Sequence, residues 1–460
     1  MALPDDVLEI IAQLKEHGYY WLLSNVFEKD PLNITRKLIP FLPIEALIQG
    51  DLNPLYIEPA YLEALFKLAC VKMQRFRHPS YLTMDKLVEL LQTSSKILVI
   101  SGAGISTSAG IPDFRSANGL YAQLLLEYPE LTEPQEMFDL NVFKENPSIF
   151  YSFAHKIYPL HFKPTISHKF ILELEKRNKL LRNYTQNIDG LETMVGIQKV
   201  IQCHGSFEYA YCLKCNDKFK GDAIKDDIFN KQVPICKKCP TSEESPAIIK
   251  PCITFFHENL PQTFDDAIEK DVACCDLVIV MGSSLKVAPV AELVHLVNPK
   301  VPQILLNREV LSHLKSHFDI HLLGDSDVVV QELLRLLKWN IEMDDVPTDA
   351  AIKEDHQFIA PHHYIFKNGK YEELASQESE TSAPESASEG DQNSIAEAHV
   401  MENDELAGLY KDQEDMEGYV VARTKMVRVF EEDLQGGTSE SEEDADFNPF
   451  KKKKLENIDE

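Results

Sequence analysis

The sequence predicts an α/β protein, a doubly wound parallel sheet carrying a second, smaller lobe, and three observations predict it. Short apolar runs (KILVISG from Lys96, LLRNYTQ from Leu180, KVIQCHG from Lys199, DLVIVMG from Asp276, PQILLN from Pro302) alternate with stretches of helical spacing such as DKLVELLQ from Asp85. Several of these runs lack polar alternation, as expected of parallel strands covered by helices on both faces. The first run ends on Gly102-Ala103-Gly104 before a helix-compatible stretch, the opening of a βα unit.

The elements follow in order. Residues 1–84 carry apolar positions at helical spacing (Val7, Leu8, Ile11, Leu14) broken by Pro31, Pro40, Pro43, Pro54 and Pro59, which predicts a set of short N-terminal helices. Residues 85–345 hold the strand candidates and form the main domain, Rossmann-like in plan. Two stretches inside it, 115–165 with helical patterning and 205–250 with paired cysteines, are not simple crossovers and are assigned to the smaller, zinc-ribbon and helical lobe. From 346 to 460 the composition shifts to Glu, Ser, Asp and Ala, which predicts a mostly disordered acidic tail. One island, HHYIFKNGKYEEL at 362–374, predicts a hairpin turning at Asn368-Gly369 and docking on the body.

Charge and composition exclude some functions. Residues 371–460 contain 26 Asp/Glu against 8 Lys/Arg, so they carry −18 of the chain's −28, and the body is only mildly acidic. Phosphate binding needs a concentrated cationic surface, so no direct sequence-specific nucleic-acid binding is expected, and any route to chromatin runs through protein partners. No apolar run approaches the ~18–20 residues that cross a bilayer. The start, MALPDDVLEIIAQL, has two early acids and no basic region, unlike a secretory signal. A soluble intracellular protein with no membrane partner is expected.

Nine cysteines, four of them in Cys-x-x-Cys pairs, read as metal binding in a reducing compartment rather than as disulfides. Cys212-x2-Cys215, twenty residues, then Cys236-x2-Cys239 suits tetrahedral zinc, and four protein ligands leave no open position for catalysis. The alternative is four unliganded core cysteines. Cys274 and Cys275 read as packing residues. At Gly102-Ala103-Gly104 the glycines let backbone N–H groups approach a diphosphate at a helix N-terminus, although a tight structural turn needs the same glycines and Thr107 replaces the third of G-x-G-x-x-G. Asp113, Phe114 and Arg115 follow, where a segment could close over a cofactor.

The runs GAGISTSAGIPDFR, YTQNIDGLE, QCHGSF, the four cysteines, KPCITFFHENLP, MGSSLKVAPVA and ILLNRE occur in this order, and together they resemble the sirtuins over roughly residues 85–340. EPQEMFDL, RNYTQNID, IIKP, VPQILLNRE and LLGDSDV look closest to the nuclear class I branch, and the 362–374 island resembles that branch's tail segment. The resemblance implies an NAD-dependent protein-lysine deacetylase that consumes NAD and moves the acetyl group to ADP-ribose with release of nicotinamide. It implies His204 as the base for a ribose hydroxyl, for which an imidazole near pKa ~6.5 is suited. Asn187 and Asp189 become catalytic contacts to the nicotinamide ribose and carboxamide, with Gln186 beside the ribose. Ile111 and Phe114 bound the nicotinamide, Arg115 positions the cofactor loop and Tyr121 joins it, while Asp113 and Ile188 complete the cofactor set. Gly282, Ser283 and Ser284 meet phosphate or ribose, Asn307 and Arg308 the adenosine ribose, and Ser326 the adenine.

An acyl-lysine stem prefers a dry tunnel, and Phe256, Leu260, Val287 and Ile188 match the family's tunnel positions. Backbone around 254–258 and 285–288 is expected to sandwich the substrate peptide as an added strand. Two departures sit there: Thr254 and His257 stand where the family has Val and Gly, which puts peptide preference in question rather than chemistry. In the tail, Ser439 and Ser441 precede acids in a context that suits acidophilic kinases, against a plain solvated extension. Lys451–Lys454 suit nuclear import, against a lysine run without that role. Expected partners are acetylated proteins such as histones or transcription factors, and the expected location is nuclear, with the cytoplasm as a second. A mono-ADP-ribosyltransferase and a catalytically vestigial chromatin scaffold are the competing functions. A hydride-transferring dehydrogenase is disfavoured, since the acidic residue expected ~20 positions after the glycine turn is not evident there and nothing supplies a redox substrate pocket.

Overall fold

In a computed structural model the chain is described at residues 9–10, 12–13, 17, 19–30, 34, 75, 77–81, 83–111, 124, 126, 133–159, 162–240, 246–314, 317–341 and 355–371. The strands in chain order are β1 (Ile97–Ser101), β2 (Leu180–Thr185), β3 (Val200–Gln202), β4 (Gly205–Cys212), β5 (Lys218–Lys220), β6 (Ile249–Ile253), β7 (Leu277–Met281), β8 (Gln303–Asn307), β9 (Ile320–Leu323), β10 (Gln357–Ile359) and β11 (His363–Ile365). Eight of them form one sheet in the order β10-β11-β9-β8-β7-β1-β2-β3. Every pair is parallel except β10-β11.

Burial along β1 and β7 is complete, and alternate residues serve opposite faces. Leu98 and Ile100 pack with Val278, Val280 and Leu305 against Phe264, Ile268 and Val272 of helix Gln262–Cys274 and Leu22 of helix Tyr19–Asn25. Ile97 and Val99 pack the other way, with Leu87 and Leu91 of helix Met84–Thr93, Phe170 and Leu174 of helix Ile166–Lys176, and Val329 and Leu333 of helix Ser326–Leu337. Two helical layers around one parallel sheet are the doubly wound plan. Thr83 caps the first of these helices by accepting from Lys86 N–H at 3.3 Å, and Thr165 and His168 form a capping box on the second. Arg75 ties its segment to the sheet with a buried bidentate pair to Asp319 at 2.7 and 3.2 Å and a bond to His317 O at 2.7 Å.

The smaller lobe is an antiparallel sheet, β5-β4-β6, packed with helices Leu140–Glu145, Pro147–Ile157 and Lys225–Phe229. Its centre is aromatic: Phe138, Phe143, Phe150 and Phe255 meet at ring-centroid distances of 5.2–6.1 Å, mostly edge to face.

Three expectations change. Strand β9, IHLL, was not among the predicted strands, because a histidine interrupts a run only four residues long. The 362–374 island forms its hairpin earlier, between β10 and β11 through Ala360–His362. Asn368 is left-handed (φ 63), and its turn instead leads to a parallel bridge between Lys370 and Glu309. The stretch after the glycine turn forms two 3-10 turns, Ala103–Ile105 and Thr107–Ala109, rather than an α-helix. Most of the N-terminal helical region and the acidic tail from 372, including Ser439, Ser441 and Lys451–Lys454, lie outside the described residues.

Candidate functional site

Strand order reverses beside β1: the chain builds β2 and β3 on one side of it and β7, β8 and β9 on the other. In such sheets the carboxyl ends at the reversal border a crevice, and here Gly102-Ala103-Gly104 leaves β1 where Gly282 leaves β7. The two loops cross backbone to backbone. Gly104 N–H donates to Gly282 O at 2.8 Å, a Cβ on Gly104 would lie 2.6 Å from Gly282 Cα, and Gly282 itself is left-handed at φ 61. The tight crossing therefore accounts for both glycines, and with 3-10 turns after Ala103 no α-helix N-terminus faces a diphosphate there. The helix N-terminus on this rim belongs to Ser326–Leu337, and Ser326 is buried at its start.

His204 sits between β3 and β4 with its ring against the end of β2. Its Nδ1 lies 2.9 Å from Gln186 O. A carbonyl only accepts, so Nδ1 carries the proton and Nε2 keeps the lone pair. Nε2 is buried and has no hydrogen-bond partner, and burial, partly offset by the Gln186 bond, holds the ring's pKa below its ordinary 6.5. Gln186 is held in turn: its N–H donates to Ser101 O at 2.9 Å and its Oε1 accepts from Ser283 Oγ, which accepts from Leu285 N–H at 3.1 Å. One bonded chain thus runs from the imidazole to the loop after β7.

Asn187 and Asp189 clasp the turn after β1. Asn187 Nδ2 donates to Gly102 O and to Ser106 Oγ, both at 3.2 Å, and Ser106 Oγ donates to Asp189 Oδ2 at 2.8 Å. Leu191 N–H donates to Asp189 Oδ1 at 2.9 Å. Burial raises the Asp189 pKa against these two bonds. Ile188 between them packs on the small-lobe core.

Below lies a buried polar layer that sequence reasoning missed. Glu192 is fully buried; Thr185 Oγ1 donates to its Oε1 at 2.5 Å, as does Ser101 Oγ at 3.3 Å, which also reaches Asn183 Oδ1 at 3.0 Å. Burial first, then the Asp189 charge, push the Glu192 carboxyl up to about 7. His168 is buried nearby, and burial takes its pKa to about 3. The signal available was Asn183 and Thr185 inside a strand otherwise patterned for burial.

The remaining predicted residues divide. Asn307 and Arg308 end β8, joined to the β9 end by Gly324 N–H donating to Asn307 O at 2.8 Å; Arg308 pairs with Asp325 at 2.7 Å on the exposed side. Ser284 and Ile111 are half-buried. Asp113, Phe114, Arg115 and Tyr121 lie outside the described residues. Thr254 N–H donates to His204 O at 2.8 Å, which brings the 254–258 segment to the imidazole. Phe256, 39% exposed, follows it, while Leu260 packs toward the large-sheet core and Val287 is half-buried two residues past Leu285. Phe256 does not have both edges available for an added strand: its N–H donates to Phe138 O at 2.7 Å and its C=O accepts from Leu140 at 3.3 Å. His257 is left-handed at φ 70 and its Nδ1 meets Asp139 at 2.9 Å. Buried Lys250, bonded to Glu258 at 2.7 Å and Ile253 O at 2.6 Å, braces this loop from inside.

The four cysteines converge. Sγ–Sγ distances are 3.8 Å for Cys212–Cys239 and 4.0 Å for Cys215–Cys236, against a tetrahedral edge of about 3.8 Å for ~2.3 Å zinc–sulfur bonds. Lys214 N–H donates to Cys212 Sγ at 3.3 Å, as suits a thiolate. The residues fit one structural zinc. No helix among the described residues is long and apolar enough to cross a membrane.

Residues 102–289 match the Sir2 family. The chain is 47% identical over 308 residues to the NAD-dependent protein deacetylase sirtuin-1 of Rattus norvegicus, covering 67% of this chain and 54% of the relative. It is 46% identical to the NAD-dependent histone deacetylase sirtuin-1 of Drosophila melanogaster (61% of this chain, 36% of the relative). To the NAD-dependent histone deacetylase SIR2 of Eremothecium gossypii it is 41% identical (59% and 54%). The chain thus spans between about a third and a half of the length of these relatives.

Proposed function

We propose, from the premise that the chain carries a Sir2 family domain, that it is an NAD-dependent protein-lysine deacetylase. The observation that carries the reading is the His204 imidazole, with Nδ1 occupied by a backbone carbonyl and Nε2 buried, unprotonated and unbonded beside the carboxyl end of β2. When bound, NAD supplies an electrophilic ribose carbon, the nicotinamide leaving group and the ADP-ribose that accepts the acetyl group.

The chain's own residues divide the work. His204 Nε2 takes the proton of a ribose hydroxyl. Asn187 and Asp189, fixed by Ser106, orient the ribose and carboxamide, with Gln186 beside them. Gly102, Ala103, Gly104, Gly282, Ser283 and Ser284 border the phosphates, and Asn307, Arg308 and Ser326 the adenosine, along the rim of β7–β9. The family resemblance assigns the nicotinamide end to Ile111 together with Asp113, Phe114, Arg115 and Tyr121. Phe256, Leu260, Val287 and Ile188 keep water from the lysine stem. Zinc on the four cysteines holds the small lobe and takes no part in the reaction.

Substrates are acetylated nuclear proteins, histones among them; the histone deacetylase names of the Drosophila and Eremothecium relatives support this, and Lys451–Lys454 would serve import. The domain plan is an N-terminal region to 84, a main domain over 85–345 and an acidic tail. Mass spectrometry of an acetylated histone peptide incubated with NAD tests the reading. Deacetylated peptide with acetylated ADP-ribose and nicotinamide is expected. ADP-ribose attached to the peptide would make it a transferase to protein, and unchanged peptide would sink the enzymatic account.

A further inference from the structure

Toward the other edge of the large sheet from β2 and β3, three histidines converge where the 357–365 hairpin joins the sheet. His321 lies on β9 and stands in register with His363 on β11, and His321 N–H donates to His362 O at 3.0 Å. His321, His362 and His363 are 0%, 2% and 5% exposed. Their centroids lie 4.9 Å (His321–His362), 4.7 Å (His321–His363) and 3.9 Å (His362–His363) apart.

Every imidazole carries at least one N–H donor, and a neutral one also an acceptor. Yet both ring nitrogens of His321 and both of His362 are buried with no hydrogen-bond partner. Buried imidazole nitrogens without partners on His321 and His362, with a third imidazole against them, are a ligand set.

We propose that His321, His362 and His363 bind one divalent transition-metal ion, zinc by preference, which clips the C-terminal hairpin to the parallel sheet. One ring nitrogen of each lies within 4.8 Å of the others. Zinc–nitrogen bonds of ~2.0 Å need edges of about 3.3 Å, so the rings close in by up to ~1.5 Å on binding. Nitrogen-only donors suit zinc, cobalt, nickel or copper and exclude calcium and magnesium. Three ligands leave a fourth position open to a water or an anion.

Zinc content of the full chain, equilibrated with zinc and desalted, tests the proposal. One zinc per chain beyond the four-cysteine ion is expected in the native protein. It is lost in His321→Phe and in His362→Phe, which keep an aromatic ring in the packing. Cobalt separates the two sites: the four-cysteine site gives intense thiolate charge-transfer absorption, and the histidine site adds only weak visible bands, absent in both variants. A native chain that binds a single equivalent, all of it with thiolate absorption, overturns the proposal even if neither variant folds.

Discussion

The rim of the parallel sheet and the small lobe meet at His204, and they hold their residues in different ways. The rim rests on two thick apolar layers, and its site residues are placed by backbone: loop crossings at Gly104 and Gly282, a carbonyl at Gln186, strand ends at β7 to β9. The small lobe has a thinner aromatic core and a four-thiolate cluster, and its contribution to the site, the 254–258 loop, hangs on β6. The rim is preorganised by packing, whereas the facing wall is only as firm as its metal.

The largest effect should break that contrast if it is wrong. Removing zinc, or Cys236→Ser, is expected to cost on the order of 10 kcal/mol of local stability. Hydrogen exchange should then show β4 and β6 opening while β1 and β7 stay protected. Uniform protection after chelation would mean the lobe stands without metal. Next, His204→Ala should lower kcat by about 10²–10⁴-fold while the protein stays folded by circular dichroism. Because burial depresses the His204 pKa, the base stays neutral further into acid, so the acid limb of kcat/KM should fall below the ordinary 6.5.

Glu192 sharpens the contrast within the rim. Its pKa is raised to about 7, so the native state holds a proton that the unfolded chain releases near ~4.3. Its contribution is present below that unfolded value and is lost as pH rises through 7. Glu192→Gln should therefore stabilise the protein above pH 7, by up to about 3 kcal/mol, and have little effect at low pH. Denaturant melts at both ends of the range would reveal this crossing. Gly104→Ala should cost about 1–3 kcal/mol and raise the KM for NAD, since its Cβ meets the Gly282 backbone. Smallest is His257→Gly: relief of a left-handed residue offsets loss of the half-exposed Asp139 pair, so stability should move by less than ~0.5 kcal/mol. A few-fold change in peptide KM at unchanged kcat would place this residue in specificity.

Much of this was legible from residues alone. Five strand runs, the glycine turn, the cysteine pairs and the order of motifs are local signals, since each depends on a handful of neighbours. What was missed has long-range causes. Strand β9 is short and carries His321, which only the partner β11 makes intelligible, and the hairpin slipped because turn chemistry at Asn368-Gly369 outweighed a less conspicuous turn before His363.

Sequence by itself determined the fold class, the metal ligands and the chain of motifs, because spacing and residue type are properties of a segment. Tertiary structure alone decided which nitrogen of His204 bears the proton, that Glu192 lies buried beside Asp189, and that the two glycines exist to let loops cross. Some partners are near in sequence, as Thr185 and Asp189 are to Glu192, but burial and contacts such as Ser101 on Glu192 or Gly282 on Gly104 come from far along the chain, so residue spacing does not encode them.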